Sequence, residues 1–491
     1  MKAASQLMRW LIGMALLSGV TACARFDFDK DNAQAQMLDT PQLASTLADS
    51  RPAQVADRWP ETRWWQPFGD PILNQLIAAA IADSPTLKVV EARMRQSQAR
   101  VDATAAELYP TIEANARFSA QRFSANSVQA KFAGEHFRQL LINPLVLRYH
   151  LDFWGRDQAA LQGAIGRSLA LAAELADARL ILAATVAAAY FDLKAAVEKQ
   201  ALADRIVADR NILSKLSRVK LNHGLTGEAP LLKAEKALHE ANQLAAILRA
   251  VVELQKHRLA ALVGQGPDWG RTIQVHAQTA LPVLSLPSDL PLKLLSRRPD
   301  LTAARLRTEA AAEEIKVART AFYPDVNLIA FTGLHSVSLT DILLQGSSLA
   351  YSVGPSIEFP IFEGGRLRAN LSYQHAAYDV AVETYNASLL RAVQEVADAL
   401  SQWHELETRW REQRRILAMT EAEYALSETL LKTGLADCMT LVQARLAANR
   451  ERLVLATLAA EQRKTSVNLI KALGGGYNEN DASRARTDKN Q

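Results

Sequence analysis

The chain has 491 residues, with 56 Lys+Arg against 52 Asp+Glu and a formal net charge of +4. So small a surplus excludes the dense basic surface that nucleic-acid binding requires, and no nucleic-acid partner is expected. Aromatics make up 6% of the residues, and the abundance of Ala and Leu favours long helices.

The chain begins like a secretory signal: Lys2 and Arg9 are basic, residues 10–17 are apolar, and the small-residue stretch Val20-Thr21-Ala22 precedes Cys23. This resembles a bacterial lipobox, which implies a signal peptide over 1–22 and a Cys23 carrying N-palmitoyl and S-diacylglycerol groups. Ordinary cleavage at Ala22-Cys23-Ala24 is the alternative. In lipoproteins, Ala24 rather than Asp after the cysteine implies sorting to the outer membrane. Buried acyl chains anchor at about 0.8 kcal/mol per CH₂. With Cys23 acylated, Cys438 is the one thiol left, so no disulfide framework or Cys-based metal site is expected. Residues 23–58 read as a lipidated linker. Beyond the signal no stretch supplies the roughly 18 uninterrupted apolar residues of a membrane helix. The nearest, 180–191, is bordered by Arg179 and Asp192. A spanning role would fall to a β-barrel, the other structure that satisfies every backbone group in lipid.

The rest reads as a tandem repeat, 59–270 and 296–476, separated by a linker at 271–295 and followed by a disordered polar tail at 477–491. The stretch 85–110 starts at Pro85 and ends in Tyr109-Pro110; 299–324 starts at Pro299 and ends in Tyr323-Pro324, an offset of 214. Gly155-Arg156 matches Gly365-Arg366, Gly224-Leu225 matches Gly434-Leu435, and Gly264 matches Gly474, all offset by 210. The four-residue difference falls where the strands lie.

Each half predicts helix, strand pair, long helix, break, helix. Residues 366–433 hold no Gly or Pro, 68 positions that as helix would extend roughly 100 Å. Trp403, Trp410, Leu417, Tyr424 and Leu431 recur every seven residues with Leu406 between the first two, a coiled-coil seam with gaps at Gln413 and Thr420. The predicted helices 299–321 and 435–473 together match the long one, so they are expected to stack end to end beside it. The first half allows the same with 85–108, 157–222 and 231–263, although Gly163 and Gly166 weaken its long helix.

The strand regions alternate. Ile112, Ala114, Ala116 and Phe118 interleave with Glu113, Asn115, Arg117 and Ser119; Leu145, Leu147, Tyr149, Leu151 and Phe153 interleave with Val146, Arg148, His150 and Asp152. Leu349, Tyr351, Val353, Ile357, Phe359 and Ile361 share one face, while 326–334 alternates poorly. Alternation alone favours one side of a soluble sandwich; it is also what a barrel wall needs. Two hairpins give four strands, too few to close, so a barrel would require several copies. Gly155-Arg156 and Gly365-Arg366 then mark where wall changes from strand to helix, with Gly relieving backbone strain and Arg reaching toward lipid headgroups.

Several motifs together resemble the outer membrane factors of Gram-negative efflux systems, the TolC/OprM type, in its lipoprotein branch. They are Cys23 in its lipobox, Trp64-Trp65 with Phe68, Asp70-Pro71, Leu73 and Leu76-Ile77, Arg297-Arg298-Pro299-Asp300-Leu301, Phe322-Tyr323-Pro324, Leu151-Asp152-Phe153-Trp154-Gly155-Arg156, Pro360-Ile361-Phe362-Glu363-Gly364-Gly365-Arg366 and Leu473-Gly474-Gly475-Gly476. The resemblance implies a mainly α fold with a transmembrane β-barrel. A homotrimer would give each barrel four strands per copy, twelve in all, continued by an α-helical barrel across the periplasm. It further implies a passive channel for drugs and other small toxic compounds, lipid-anchored in the outer membrane, whose partners are a periplasmic adaptor and an inner-membrane transporter. Gly224, Leu225, Thr226, Gly434, Leu435 and Asp437 would form the adaptor-docking tips, although a plain helix C-cap and turn explains the Gly-Leu pairs equally. Thr440 and Gln443 would line the aperture. Gln443 stands where relatives often carry a carboxylate, so no acidic cation-binding constriction is expected, and Cys438 reads as a small packing residue.

Catalytic signatures are absent. His404 opens "HELE" without a second His. Gly264-Gln265-Gly266 follows a predicted helix and lacks a P-loop Lys, so it reads as a linker. Glu313-Glu314 reads as a solvated helix face. No enzyme activity, cofactor or metal is expected. The alternatives to an efflux conduit are a channel of the same build for type I-like protein secretion and a non-channel coiled-coil lipoprotein.

Overall fold

A computed structural model describes residues 33–39, 55–56, 58–126, 131, 134, 136–275, 284–285, 296–337 and 346–479. Cys23, the signal at 1–22 and the tail beyond 479 lie outside them.

Proline opens both of the first helices, where a missing N–H costs nothing: α1 (Pro71–Asp83) and α2 (Pro85–Ala106). Strands β1 (Thr111–Arg122) and β2 (His136–His150) follow, then α3 (Arg156–Asn222) and α4 (Glu228–Val263). The second half repeats the order with α5 (Pro299–Thr320), β3 (Asp325–Ser336), β4 (Leu349–Glu358), α6 (Arg366–Lys432) and α7 (Cys438–Ala472). Helices α3 and α6 are 67 residues each, about 100 Å of helix. The stretches expected to be linkers meet in a short parallel pairing, Val55 with Leu284 and Ala56 with Ser285. The chain divides into two compact units, one containing the strands and the helix ends that flank them, the other the remaining helix lengths.

In the strand unit, β1-β2-β3-β4 form one antiparallel sheet in sequence order. The β2–β3 pairing joins the two repeats. Strand β2 carries one extra residue at Asn143-Pro144, where its register against both neighbours shifts. This bulge lets the strand run back to His136, past a proline that cannot donate to a ladder. Opposite it sits Gly333, where a Cβ would overlap Asn143 Oδ1 and lie 2.6 Å from the Ile142 carbonyl oxygen. Asn143 Nδ2 donates to Asn115 Oδ1 at 3.0 Å, and Asn143 Oδ1 lies 2.9 Å from His335 Nε2, so one side chain links three strands.

In the helical unit the core forms where α1 lies on α3. Phe68, Leu73, Ile77, Val186, Ala187, Tyr190, Phe191 and Leu193 are buried together with Val252, Leu259 and Val263 of α4. Helix α3 is long and apolar enough to cross a membrane by composition, but most of its apolar window is buried against this core. Asp70 caps α1, accepting from the N–H groups of Ile72 (3.0 Å) and Leu73 (3.3 Å). It also accepts from Tyr190 Oη (2.8 Å) and Lys194 Nζ (3.2 Å) of α3.

The end-to-end stacking follows from two glycines in left-handed backbone. Gly264 (φ 81°) caps α4, and a Cβ there would lie 2.8 Å from the Asp83 carbonyl oxygen and 3.0 Å from Pro85 Cδ, where α2 begins. Gly474 (φ 86°) follows α7, and a Cβ there would overlap the Arg297 carbonyl, where α5 begins. Only glycine permits both the conformation and the approach. Arg298, buried, fastens the second joint: its Nη1 donates to the Ala472 carbonyl (2.9 Å) and Glu395 Oε2 (2.8 Å), and its Nε and Nη2 donate to Asp300 (3.0 and 2.8 Å).

The seven-residue seam of α6 is real. Trp403, Leu406, Gln413 and Ser427 are buried, and Trp410, Leu417, Thr420, Tyr424 and Leu431 are half-buried. The polar seam positions are satisfied locally. Gln413 Nε2 donates to Glu451 Oε2 (2.6 Å) on α7, while the Thr420 and Ser427 hydroxyls donate to carbonyls four residues back.

Candidate functional site

The sheet register sorts side chains onto two faces. One face carries Ile112, Ala114, Ala116 and Phe118 from β1, Ile142, Leu145, Leu147 and Tyr149 from β2, Val326, Leu328, Ala330, Thr332 and Leu334 from β3, and Leu349, Tyr351, Val353, Pro355 and Ile357 from β4. This stretch contains no charge, and it is open: Tyr351 is 77% and Val353 71% exposed. The opposite face carries Glu113, Asn115, Arg117, Arg148, His150, Asp325, Asn327, Ser352, Ser356 and Glu358. Strand β3 alternates poorly in sequence because Ile329 and Phe331 lie on the polar face, where Phe331 pairs with the buried Val146 and stacks on His335 with ring centroids 5.5 Å apart. Among the described residues, β1 and β4 each have one neighbouring strand, leaving both sheet edges open.

The Gly155-Arg156 junction is a capped helix start. Gly155 has φ 74°. Asp152 accepts from the N–H groups of Arg156 (2.6 Å), Asp157 (3.1 Å) and Gln158 (3.1 Å), so a carboxylate meets the positive end of α3. The junction is fastened to Tyr323-Pro324 of the other repeat. Trp154 Nε1 donates to the Pro324 carbonyl (2.8 Å), and its ring stacks on Tyr323 at 5.0 Å. His150 bridges Asp157 through Nδ1 and Asp325 through Nε2 (3.3 Å). At the second junction, Gly364 (φ 55°) and Gly365 (φ 87°) precede α6, and the Arg366 N–H bonds the Glu363 carbonyl (3.0 Å) in place of a side-chain cap. The arginines expected to reach lipid headgroups have carboxylate neighbours in the chain: Arg156 with Asp325 at 3.7 Å and Arg366 with Glu363 at 2.8 Å. Both arginines line one cleft of about 400 Å³ with Trp154, Tyr323, Glu358 and Phe359.

The two predicted tips are helix C-caps followed by tight turns. Gly224 (φ 69°) and Gly434 (φ 75°) are left-handed, and the N–H of the leucine after each, Leu225 and Leu435, bonds a carbonyl five residues back (2.9 and 2.8 Å). Both leucines stay exposed. The following helix starts differ. Asp437 caps α7, accepting from the Thr440 N–H (2.9 Å) and hydroxyl (2.8 Å), and these bonds hold its carboxyl below the usual range. Gly227 stands at the equivalent place before α4 with no side-chain cap; the third residue there is Pro230, which has no N–H to satisfy. Lys220 Nζ reaches Asp437 Oδ2 (3.4 Å), bringing the two tips together. Thr226 is half-buried. Gln443 is exposed on α7, while Thr440, also exposed, spends its hydroxyl on the cap. Cys438, expected as a packing residue, is exposed at the first position of α7.

Sequence reasoning missed a buried polar cluster between α3 and α7. Asp209 accepts from Arg445 Nε (2.8 Å) and Nη2 (2.5 Å) and from Asn449 Nδ2 (3.3 Å). It also missed the segment at 33–38, whose Ala33 N–H bonds His375 Nδ1 (3.1 Å), whose Gln34 and Ala35 N–H groups bond Asp379 (2.9 Å each), and whose Leu38 N–H bonds Asn386 (2.8 Å). No local pattern marks either.

Comparison with known proteins agrees with this geometry. The family model "outer membrane efflux protein" matches residues 76–265 and 290–475. The multidrug resistance outer membrane protein MdtP of Shigella flexneri is 30% identical over 462 residues, covering 91% of this chain and 92% of its own. Among solved structures, the outer membrane protein VceC of Vibrio cholerae is 30% identical with a TM-score of 0.75, covering 85% of this chain and all of its own. The Campylobacter jejuni CmeC outer membrane channel, 20% identical, shares the fold with a TM-score of 0.81 over 93% of this chain and 98% of its own.

Proposed function

The chain belongs to the outer membrane efflux protein family, and we propose that three copies form a passive conduit carrying small toxic compounds out of the cell. It is an outer-membrane channel protein rather than an enzyme. The observation that carries the proposal is the sheet: four strands of 10–15 residues with an uncharged stretch on one face from Ile112 to Phe118 and its neighbours, a polar opposite face, and, among the described residues, two open edges. Strands of about 9–11 residues suffice to cross a bilayer, and an open edge in lipid is prohibitively costly. Copies joined edge to edge remove that cost, with the uncharged face toward lipid and the polar face toward a water-filled lumen.

In this reading the helices continue the tube through the periplasm. The exposed Leu225 and Leu435 beside Gly224, Thr226, Gly434 and Asp437 receive the periplasmic adaptor, which links the tube to an inner-membrane transporter. Thr440 and Gln443 lie near the aperture. The N-terminal segment supports acylation of Cys23. Ala33 is tied to His375, nine positions along α6 from Arg366, about 14 Å of helix. The ten residue steps from Cys23 to Ala33 can extend to roughly 33 Å, enough to place acyl chains at the bilayer beside the strand-to-helix junction.

Purified protein in a planar bilayer is expected to give unitary openings, and deletion of the gene to raise drug susceptibility without changing secreted-protein levels. A preparation that assembles but never conducts would overturn the conduit.

A further inference from the structure

We propose that neighbouring copies join through an apolar version of the junction that fastens the two repeats within one chain. In it, Ile361 and Phe362 of one copy close on Tyr109 and Pro110 of the next, and β4 runs antiparallel to the next copy's β1 with Ile357 opposite Ala116. The inference rests on the multi-copy barrel above and specifies how its copies meet.

The repeat supplies the geometry. Positions 150–157 correspond to 360–367 at an offset of 210, and 323–327 correspond to 109–113 at an offset of 214. Within the chain, His150 lies opposite Asn327, Arg148 opposite Ile329 and Leu147 opposite Ala330. The same operation on the two open edges sets Pro360 opposite Glu113, Glu358 opposite Asn115 and Ile357 opposite Ala116. The faces then agree independently. Pro355 and Ile357 meet Phe118 and Ala116 on the uncharged side, while Ser356 meets Arg117 and Glu358 meets Asn115 on the polar side. A one-residue slip would reverse every one of these matches. Glu358 diagonal to Arg117 adds an opposite-charge pair.

The chemistry at the base of this pairing changes position by position. The internal junction uses His150, Asp152, Asp157 and Asp325. Their counterparts are Pro360, Phe362, Leu367 and Thr111, none of them ionisable. Trp154, which stacks on Tyr323, corresponds to Gly364, so the ring that meets Tyr109 comes from Phe362, two positions earlier. Ile361 and Phe362 are each 90% exposed and Tyr109 70%, against 48% for Trp154 and 43% for Tyr323. A contact made only on assembly gains from apolar burial, whereas buried charges would have to be desolvated first. The intrachain joint, formed as the chain folds, carries its ions from the start.

The test uses the full-length chain with Cys438→Ser, to which Tyr109→Cys and Phe362→Cys are added singly and together, and a short bis-maleimide is applied to outer membranes. The doubly substituted protein is expected to give a ladder of linked chains. Each single variant is expected to stay unlinked, and co-expressed single variants to give linked pairs only. Trp154→Cys with Tyr323→Cys, bridged within one chain, is expected to give no ladder. A photoreactive benzoyl-phenylalanine at Phe362, which keeps the ring, is expected to mark the segment around Tyr109 of another copy. Light scattering separates the failures: assembled protein with neither cross-link refutes this register while the barrel stands, and monomeric protein refutes both.

Discussion

Replacing Asp70 tests whether one buried carboxylate ties α1 to α3. Asp70 is 2% exposed and accepts from two backbone N–H groups, the Tyr190 hydroxyl and the Lys194 ammonium. In Asp70→Ala the lost cap costs about 1 kcal/mol, and the stranded Tyr190 hydroxyl a further ~1–3 kcal/mol. With Lys194 also losing this carboxylate, the sum is about 4 kcal/mol, the range seen when one partner of a buried pair is removed. Asp70→Asn keeps the cap and an acceptor for Tyr190 and loses only the charge, so about 1–2 kcal/mol is expected. Burial raises this carboxyl's pKa, but the bonds from Tyr190, the Leu73 N–H and Lys194 outweigh it and hold the pKa below normal. A lowered folded pKa gives stability that is present above about pH 4 and lost as pH falls through the folded value. Guanidinium unfolding of detergent-purified protein, followed by far-UV circular dichroism across pH, should rank wild type above Asn and Asn above Ala. The Asn variant should also lose part of the acid dependence. An alanine variant within about 0.5 kcal/mol of wild type would refute the reasoning.

Three other outcomes are expected. Gly434→Ala, in open space, should cost the ~1–2 kcal/mol of a left-handed residue, whereas Gly474→Ala should cost ~1–3 kcal/mol more because its Cβ overlaps the Arg297 carbonyl; equal unfolding midpoints would contradict the end-to-end joint. Asp177 is pushed up to about 6 by burial and the charge of Asp300, against the opposing pull of Arg298 and Lys471. A raised folded pKa gives stability that is present below the unfolded value near pH 4 and lost as pH rises through about 6. Asp177→Asn should therefore stabilise the protein by ~1–2 kcal/mol at pH 8 and change little at pH 4, and a pH-independent effect would remove that explanation. Asp437→Ala should cost about 1 kcal/mol by removing a cap, while Gly227→Asp should bring no matching gain because Pro230 offers no N–H; amide exchange in the first turns of α4 and α7 distinguishes the two.

The repeat was legible because its punctuation is conformational. Gly224, Gly264, Gly434 and Gly474 all adopt positive φ, and few other residues can stand there. The run over 366–433 became a helix of 67 residues because nothing inside it breaks one. In sequence, β2 shows its alternation only from Leu145 onward; the bulge at Asn143-Pro144 that lets it start at His136 depends on Gly333, almost two hundred positions away. Asp152 was read as one polar position in an alternating strand, and its capping role required the turn that Gly155 makes. Arg298 and Asp209 look like ordinary charged residues in sequence. Their burial is decided by which helices meet.

Helices α3 and α6 have the same length to the residue, although few of their residues agree. Deleting one position from either would rotate everything beyond it by about 100°, turning the seam of Trp403 and Leu417 away from its neighbours. The helices therefore act as rulers whose gauge natural variation must respect. The two halves already differ by four positions in the strand hairpins, so at the membrane-facing end residues can be added or lost without disturbing the register of the long helices.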